Sequence, residues 1–240
     1  MTTLLVLLLW VSLPAAPQSP LTLDESMHRW AYEHAPAHLD DQARIEHLFA
    51  AMLDENGLGL HERSGHSPTA REAFLEGRAD CVGFALLFTA LARSVHLPAR
   101  LAVSVDIEVV GGQRNLRIAE GHVAVQVTAS PHADTLMVDF GGIYRPPPGS
   151  FALVDDQTVF AIYYSNRGTE ALLDGRPASA VVWLESATLL EPDLAGAWLN
   201  LGVARGRLGD RHGAIEAYRR ALELDPSSAA SENLAHLQAR

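Results

Sequence analysis

The 240-residue chain has no lysine and a single cysteine, Cys81. Without lysine it offers no side-chain amine as an acyl acceptor, which excludes crosslinking to itself through lysine. A single cysteine excludes an intramolecular disulfide, so in an oxidising compartment the thiol stays free or pairs with another chain. Positive charge is scarce too: 18 arginines face 29 acidic residues, for a formal charge of −11. A phosphate backbone needs a basic face, so nucleic acid is excluded as a partner. There is no Asp/Asn-rich loop suited to calcium, and His28, His34, His38 and His47 lack a matching acidic or cysteine set, so no metal is expected. Gly111-Gly112 and Gly141-Gly142 lack the context of a phosphate loop, and no cofactor is expected.

The apolar run from Leu4 to Leu13 is too short for a stable membrane span. It suits the core of a secretion signal, with Ala15 and Ala16 offering a cleavage zone. Export to a periplasm or the exterior is therefore expected over the cytoplasm, with the chain either released or anchored by an uncleaved signal. No cysteine follows the run to take a lipid. Apolar residues make up 48% of the chain, enough to bury a core. The expected organisation is a signal over 1–20, an α+β domain over 21–155 and an all-α module over 156–240.

Residues 21–60 read as helical, with Asp24 as a cap and apolar positions at Ile45, Leu48, Phe49, Met52 and Leu53. His61 to Ser67 reads as a polar loop, and Ser67 or Thr69 starts a short helix. Asp80 opens the strongest helix, whose apolar face carries Phe84, Leu87, Phe88 and Leu91 and which closes near Ser94 before Pro98. Alternation then predicts strands through Leu101–Ile107, Val123–Val127 and Leu136–Phe140. Gly111-Gly112 turns the first of these, and Ser130-Pro131 connects the other two. Arg145-Pro146-Pro147-Pro148-Gly149 punctuates the end of the sheet.

From about Ala161 the helical signals repeat. Tyr164, Gly168, Ala180, Leu184, Ala187 and Pro192 recur 34 positions later as Trp198, Gly202, Ala214, Tyr218, Ala221 and Pro226. That period and those residue types match the tetratricopeptide pattern. Small residues let paired helices approach, and Trp198 and Tyr218 fill the space between them. Two repeats bury little surface alone, so the array should dock onto the preceding domain. Its concave face is expected to take a protein or peptide.

Chemistry gathers at Cys81. A thiolate is the nucleophilic form, and a helix N-terminus with a nearby imidazolium favours it. Cys81 lies in the first turn of the helix that Asp80 can cap. If the strands pair about Ser130-Pro131, His122 falls opposite Asp139, on the strand face away from Val123, Val125 and Val127. Asp139 could then orient the imidazole while His122 exchanges a proton with Cys81. Bland alternatives stand beside this: a buried inert thiol, a solvent-facing strand histidine and a turn aspartate.

The stretch Cys81-Val82-Gly83-Phe84-Ala85-Leu86-Leu87-Phe88, followed by His96-Leu97-Pro98-Ala99-Arg100, resembles the core of the transglutaminase-like superfamily. Gly121-His122-Val123 and Val138-Asp139 are similar to its histidine and aspartate strands. Thr69-Ala70, Glu72-Ala73-Phe74 and Arg78-Ala79 are similar to a bacterial branch with C-terminal tetratricopeptide repeats. The resemblance implies a papain-like α+β fold with Cys81 as nucleophile, His122 as acid/base and Asp139 as orienting residue. It implies a cysteine hydrolase or acyltransferase acting on amides. The sequence departs from the family where Val123-Ala124 replaces an aromatic and Asp139-Phe140-Gly141 replaces Asp-Pro-Thr. No Gln or Asn stands shortly before Cys81, which leaves its backbone N–H as the expected oxyanion donor. The alternative is a non-catalytic scaffold that keeps the fold as a platform for its repeats.

Overall fold

A computed structural model describes residues 19–110, 113–128, 135–226 and 229–238. The expected signal, the Gly111-Gly112 turn and the Ser130-Pro131 connection lie essentially outside these residues. Among the described residues no helix is long and apolar enough to cross a membrane.

The chain begins with α1 (Glu25–His34) and α2 (Asp41–Leu53). Asp24 caps α1 by accepting from the backbone N–H groups of Ser26 and Met27, as its position predicts. The expected loop from His61 contains a two-residue strand, β1 (His61–Glu62), paired in parallel with β2 (Arg78–Ala79). So short a strand has no alternation to read. Between them lies α3 (Ala70–Glu76), opened by Thr69 and Glu72 in a reciprocal capping box.

Helix α4 (Cys81–Ser94) differs from the single-faced helix its spacing suggests. Every residue from Val82 to Ala92 is buried. A helix that is apolar all round lies at the centre of a fold. Met27, Ile45, Leu48 and Met52 of α1 and α2 belong to the same core, as do Val123, Val125, Val127 and Val138 of the sheet. Burying each large side chain, such as Phe84, Leu87 or Phe88, stabilises the fold by roughly 1.5–3 kcal/mol.

The sheet is antiparallel throughout, in the order β6 (Gly142–Tyr144), β5 (Thr135–Asp139), β4 (Gln113–Thr128), β3 (Ala99–Val110), β7 (Phe151–Leu153). The proline run does not end it. The chain passes Pro146–Pro148 and returns as β7 to pair with β3, so Leu153 stands across from Ala102. One irregularity and one register place the site. Between β3 and β4 the register steps from Val103↔Val123 to Val105↔Ile118, leaving residues 119–122 of β4 against Ser104 alone. Between β4 and β5 it runs Val125↔Val138 and Gln126↔Met137. Continued, this register sets Asp139 across from Ala124 rather than His122. The sequence expectation is therefore two residues out, a shift that keeps His122 and Asp139 on one face as diagonal neighbours.

Helices α5 (Asp156–Leu173), α6 (Pro177–Leu190), α7 (Ala195–Arg207), α8 (Arg211–Leu224) and α9 (Ala230–Gln238) complete the chain. Helical structure begins at Asp156, ahead of the expected Ala161. The repeat geometry follows from its small residues. A Cβ on Gly202 would stand 2.4 Å from Tyr218 Cε1, and one on Gly168 would stand 2.5 Å from Leu184 Cγ, equivalent contacts one period apart. The array docks as its short length requires. Val159 and Tyr163, early in α5, belong to the first core, whereas Ala171 and Leu172 at its end belong to the repeat core. One helix thus serves both regions.

Candidate active site

The site begins with a helix cap. Asp80, extended at φ −85° and ψ −174°, accepts from the N–H of Gly83 at 2.9 Å through Oδ1. That fixes the first turn of α4 and sets Cys81, half-buried, at the positive end of the helix. The turn is pressed from one side by Pro68. A Cβ on Gly83 would lie 2.5 Å from Pro68 Cδ, so only glycine permits the approach.

His122 is brought to this helix end by β4, next to the register step. Bulged strands commonly re-aim a side chain in this way. Its Nε2 donates to Asp139 Oδ2 at 2.8 Å, and the imidazole is also hydrogen-bonded to Cys81. With Nε2 committed to the carboxylate, Nδ1 is the nitrogen left for Cys81. The imidazole is 45% exposed, whereas the Asp139 side chain is only 9% exposed. The Phe151 ring stands edge-on to the imidazole at 6.0 Å.

Asp139 has its hydrogen bonds on both oxygens. Oδ2 accepts from His122 and from the Tyr144 hydroxyl at 2.8 Å, and Oδ1 accepts from the Gly141 N–H at 2.7 Å. Burial pushes this carboxyl up, but the bonds from His122, Tyr144 and Gly141 together hold it below the usual aspartate range. The Tyr144 hydroxyl is raised by burial and then by the carboxylate it faces. The His122 imidazole, bonded first to Asp139 and then to Cys81, is pushed up to about 10 against the pull of its partial burial. An imidazolium held between a carboxylate and a thiol is the arrangement that makes a sulfur nucleophile.

The structure thus brings Cys81, His122 and Asp139 together. Sequence reasoning missed Tyr144, which follows a glycine pair read only as a turn. It also missed Ser67 as a partner of Asp80, to whose Oδ2 the serine hydroxyl donates. Among the described residues no group of three or more His, Cys, Asp or Glu is placed to hold a metal.

Comparison with known proteins gives two family matches. The transglutaminase-like superfamily matches residues 31–133, which include Cys81 and His122, and the tetratricopeptide repeat matches residues 195–228. A heat-shock protein cognate co-chaperone, sgt12, from Aspergillus fumigatus is 38% identical over 64 residues. That stretch is 27% of this chain, and the chain spans only 19% of that relative's length. Two solved structures align with a third of the chain. The first tetratricopeptide domain of Spaghetti (RPAP3), bound to an HSP90 peptide, is 25% identical with a TM-score of 0.32, covering 33% of this chain and 64% of that one. The Sgt2 tetratricopeptide domain from Aspergillus fumigatus is 33% identical with a TM-score of 0.32, covering 33% and 54%. The chain carries a transglutaminase-like domain followed by a tetratricopeptide repeat module.

Proposed function

We propose that the chain is a cysteine-dependent amide hydrolase or acyltransferase. Cys81 Sγ attacks an amide carbonyl, the C–N bond breaks, and a thioester forms. His122 gives its proton to the departing amine. Water, or a second amine, then attacks the thioester, returning the sulfur as His122 takes up and passes on the proton. Asp139, itself held by Tyr144 and Gly141, keeps the imidazole turned with Nδ1 toward the sulfur. Hydrolysis is favoured over transfer, because water is abundant. The repeat module is the part suited to recruit a protein or peptide. The tetratricopeptide match over residues 195–228 supports such a role. The Leu4–Leu13 run supports export.

The observation that carries this reading is the double engagement of His122, hydrogen-bonded to both Asp139 and Cys81. The test is the rate of iodoacetamide alkylation from pH 4 to 10, which reports on Cys81 alone because no other cysteine exists. Rapid labelling at acidic pH that His122→Ala abolishes is the expected result. Labelling that rises only near the ordinary thiol value of about 8.5, unchanged by the substitution, would replace the enzyme with a repeat-bearing scaffold.

A further inference from the structure

Helices α4 and α5 run in opposite directions and are joined at both ends. At one end Arg93 donates to both oxygens of Asp156, at 2.6 and 2.9 Å. At the other end the link passes through Ser67, which is wholly buried. The Ser67 hydroxyl donates to Asp80, and its oxygen accepts from Asn166 Nδ2 at 2.9 Å. Its backbone N–H donates to Glu170 at 2.7 Å, and its carbonyl accepts from Arg167 at 3.4 Å. Three side chains of the first repeat helix therefore converge on one serine, whose only hydroxyl proton goes to the cap of the helix bearing Cys81.

We propose that Asn166 is a positioning residue for Cys81, acting through Ser67 to hold Asp80 on the first turn of α4. This rests on the reading of Cys81 as nucleophile. A serine hydroxyl has one proton to give. With Asn166 donating into its oxygen, that proton is committed to Asp80, and successive hydrogen bonds polarise one another. Without Asn166 the hydroxyl is free to turn, and the carboxylate is no longer pinned against the Gly83 N–H. A loosened cap blurs the N–H groups and dipole that favour a thiolate. Burial works the same way, for it raises the Asp80 carboxyl against the hydrogen bonds that favour its charge. The titratable and charged groups around this link are His66, whose carbonyl accepts from the Asp80 N–H at 3.0 Å, its partner Glu76, and Arg167 and Glu170 of α5. On the sulfur side stand His122 and Asp139. The repeat module thus reaches the thiol through its own first helix.

The test is the alkylation profile of the full chain in the wild type, Asn166→Ala, Ser67→Ala and the double variant, with folding checked by circular dichroism. Asn166→Ala should move the labelling midpoint upward by about half a pH unit. Because the effect passes through Ser67, the double variant should match Ser67→Ala rather than add to it. A purely structural role would lower the melting temperature and leave the midpoint in place. An unmoved midpoint in Asn166→Ala, or shifts that add, overturns the proposal while an acidic wild-type profile leaves the nucleophile reading intact. A wild-type profile near the ordinary thiol value, unchanged by His122→Ala, overturns both. Should Ser67→Ala fail to fold, Asn166→Ala alone decides.

Discussion

Helices α4 and α8 open in the same way. Asp80 accepts from the Gly83 N–H at 2.9 Å, and Asp210 accepts from the Gly213 N–H at 2.9 Å. Both segments read Asp-x-x-Gly, and in isolation nothing separates them. Their surroundings differ completely. Asp80 is half-buried, gripped by Ser67, with a rigid proline ring against its glycine and a thiol at the next position. Asp210 is exposed in the turn between α7 and α8, and the residue after it is an arginine. A local cap makes a helix start; the groups that other elements bring to it make a candidate site.

The largest contrast is expected on removing the two carboxylates. Asp210→Ala loses an exposed cap and should cost about 1 kcal/mol. Asp80→Ala loses a cap and strands the buried Ser67 hydroxyl, so it should cost about 3 kcal/mol. Urea denaturation of the two variants measures both, and equal losses would erase the distinction. The glycines come next. At Gly83 a methyl group meets the Pro68 ring, which has nowhere to go, whereas at Gly213 the nearest atom is the mobile carboxylate end of Asp210. Gly83→Ala should destabilise by about 2 kcal/mol. Gly213→Ala should be close to neutral, because the gain of about 1 kcal/mol in helix propensity offsets the displaced cap. A neutral Gly83→Ala would mean that Pro68 does not confine the first turn of α4.

The same contrast explains what the sequence discloses. Cys81, His122 and Asp139 could be read as neighbours because each depends on local rules: a capped helix start, and strand alternation that keeps residues 122, 124 and 126 on one face. The observed pairing lies two residues from the expected one because alternation fixes which face a strand residue takes but not the register between two strands, and the register step beside His122 leaves no trace in alternation. The repeats were legible because a fixed period writes the same contact twice. What could not be read is what the fold alone brings together. Asn166 lies 99 positions from Ser67, and Glu170 lies 103 from it. Strand β7 escaped notice because three residues after a proline run carry no pattern. Tyr144 is an ordinary strand residue until β6 folds back beside Asp139.

The smallest contrast concerns the histidines near the two helix starts. His212 pairs with Glu216 at 3.6 Å with both side chains exposed, 86% and 61%, whereas His122 pairs with Asp139 at 2.8 Å against a carboxylate only 9% exposed. Exposed pairs at this helical spacing contribute about 0.3 kcal/mol, so His212→Gln should barely change stability. His122 differs in sign and window. Its folded value lies near 10, above the unfolded value of 6.5, so the folded state binds the proton more tightly. The stabilisation is complete below about pH 6.5 and is lost as pH rises toward 10. Since the imidazole is nearly half exposed, solvent screening cuts the full shift to about 1–2 kcal/mol. At the other limit the depressed Asp139 carboxyl contributes above the ordinary aspartate value and loses its share as pH falls through its folded value. Melting temperature followed from pH 5 to 10 should therefore fall more steeply for the wild type than for His122→Gln, with the two curves converging at the alkaline end. Parallel curves would show that His122 binds its proton no more tightly in the fold than in the open chain.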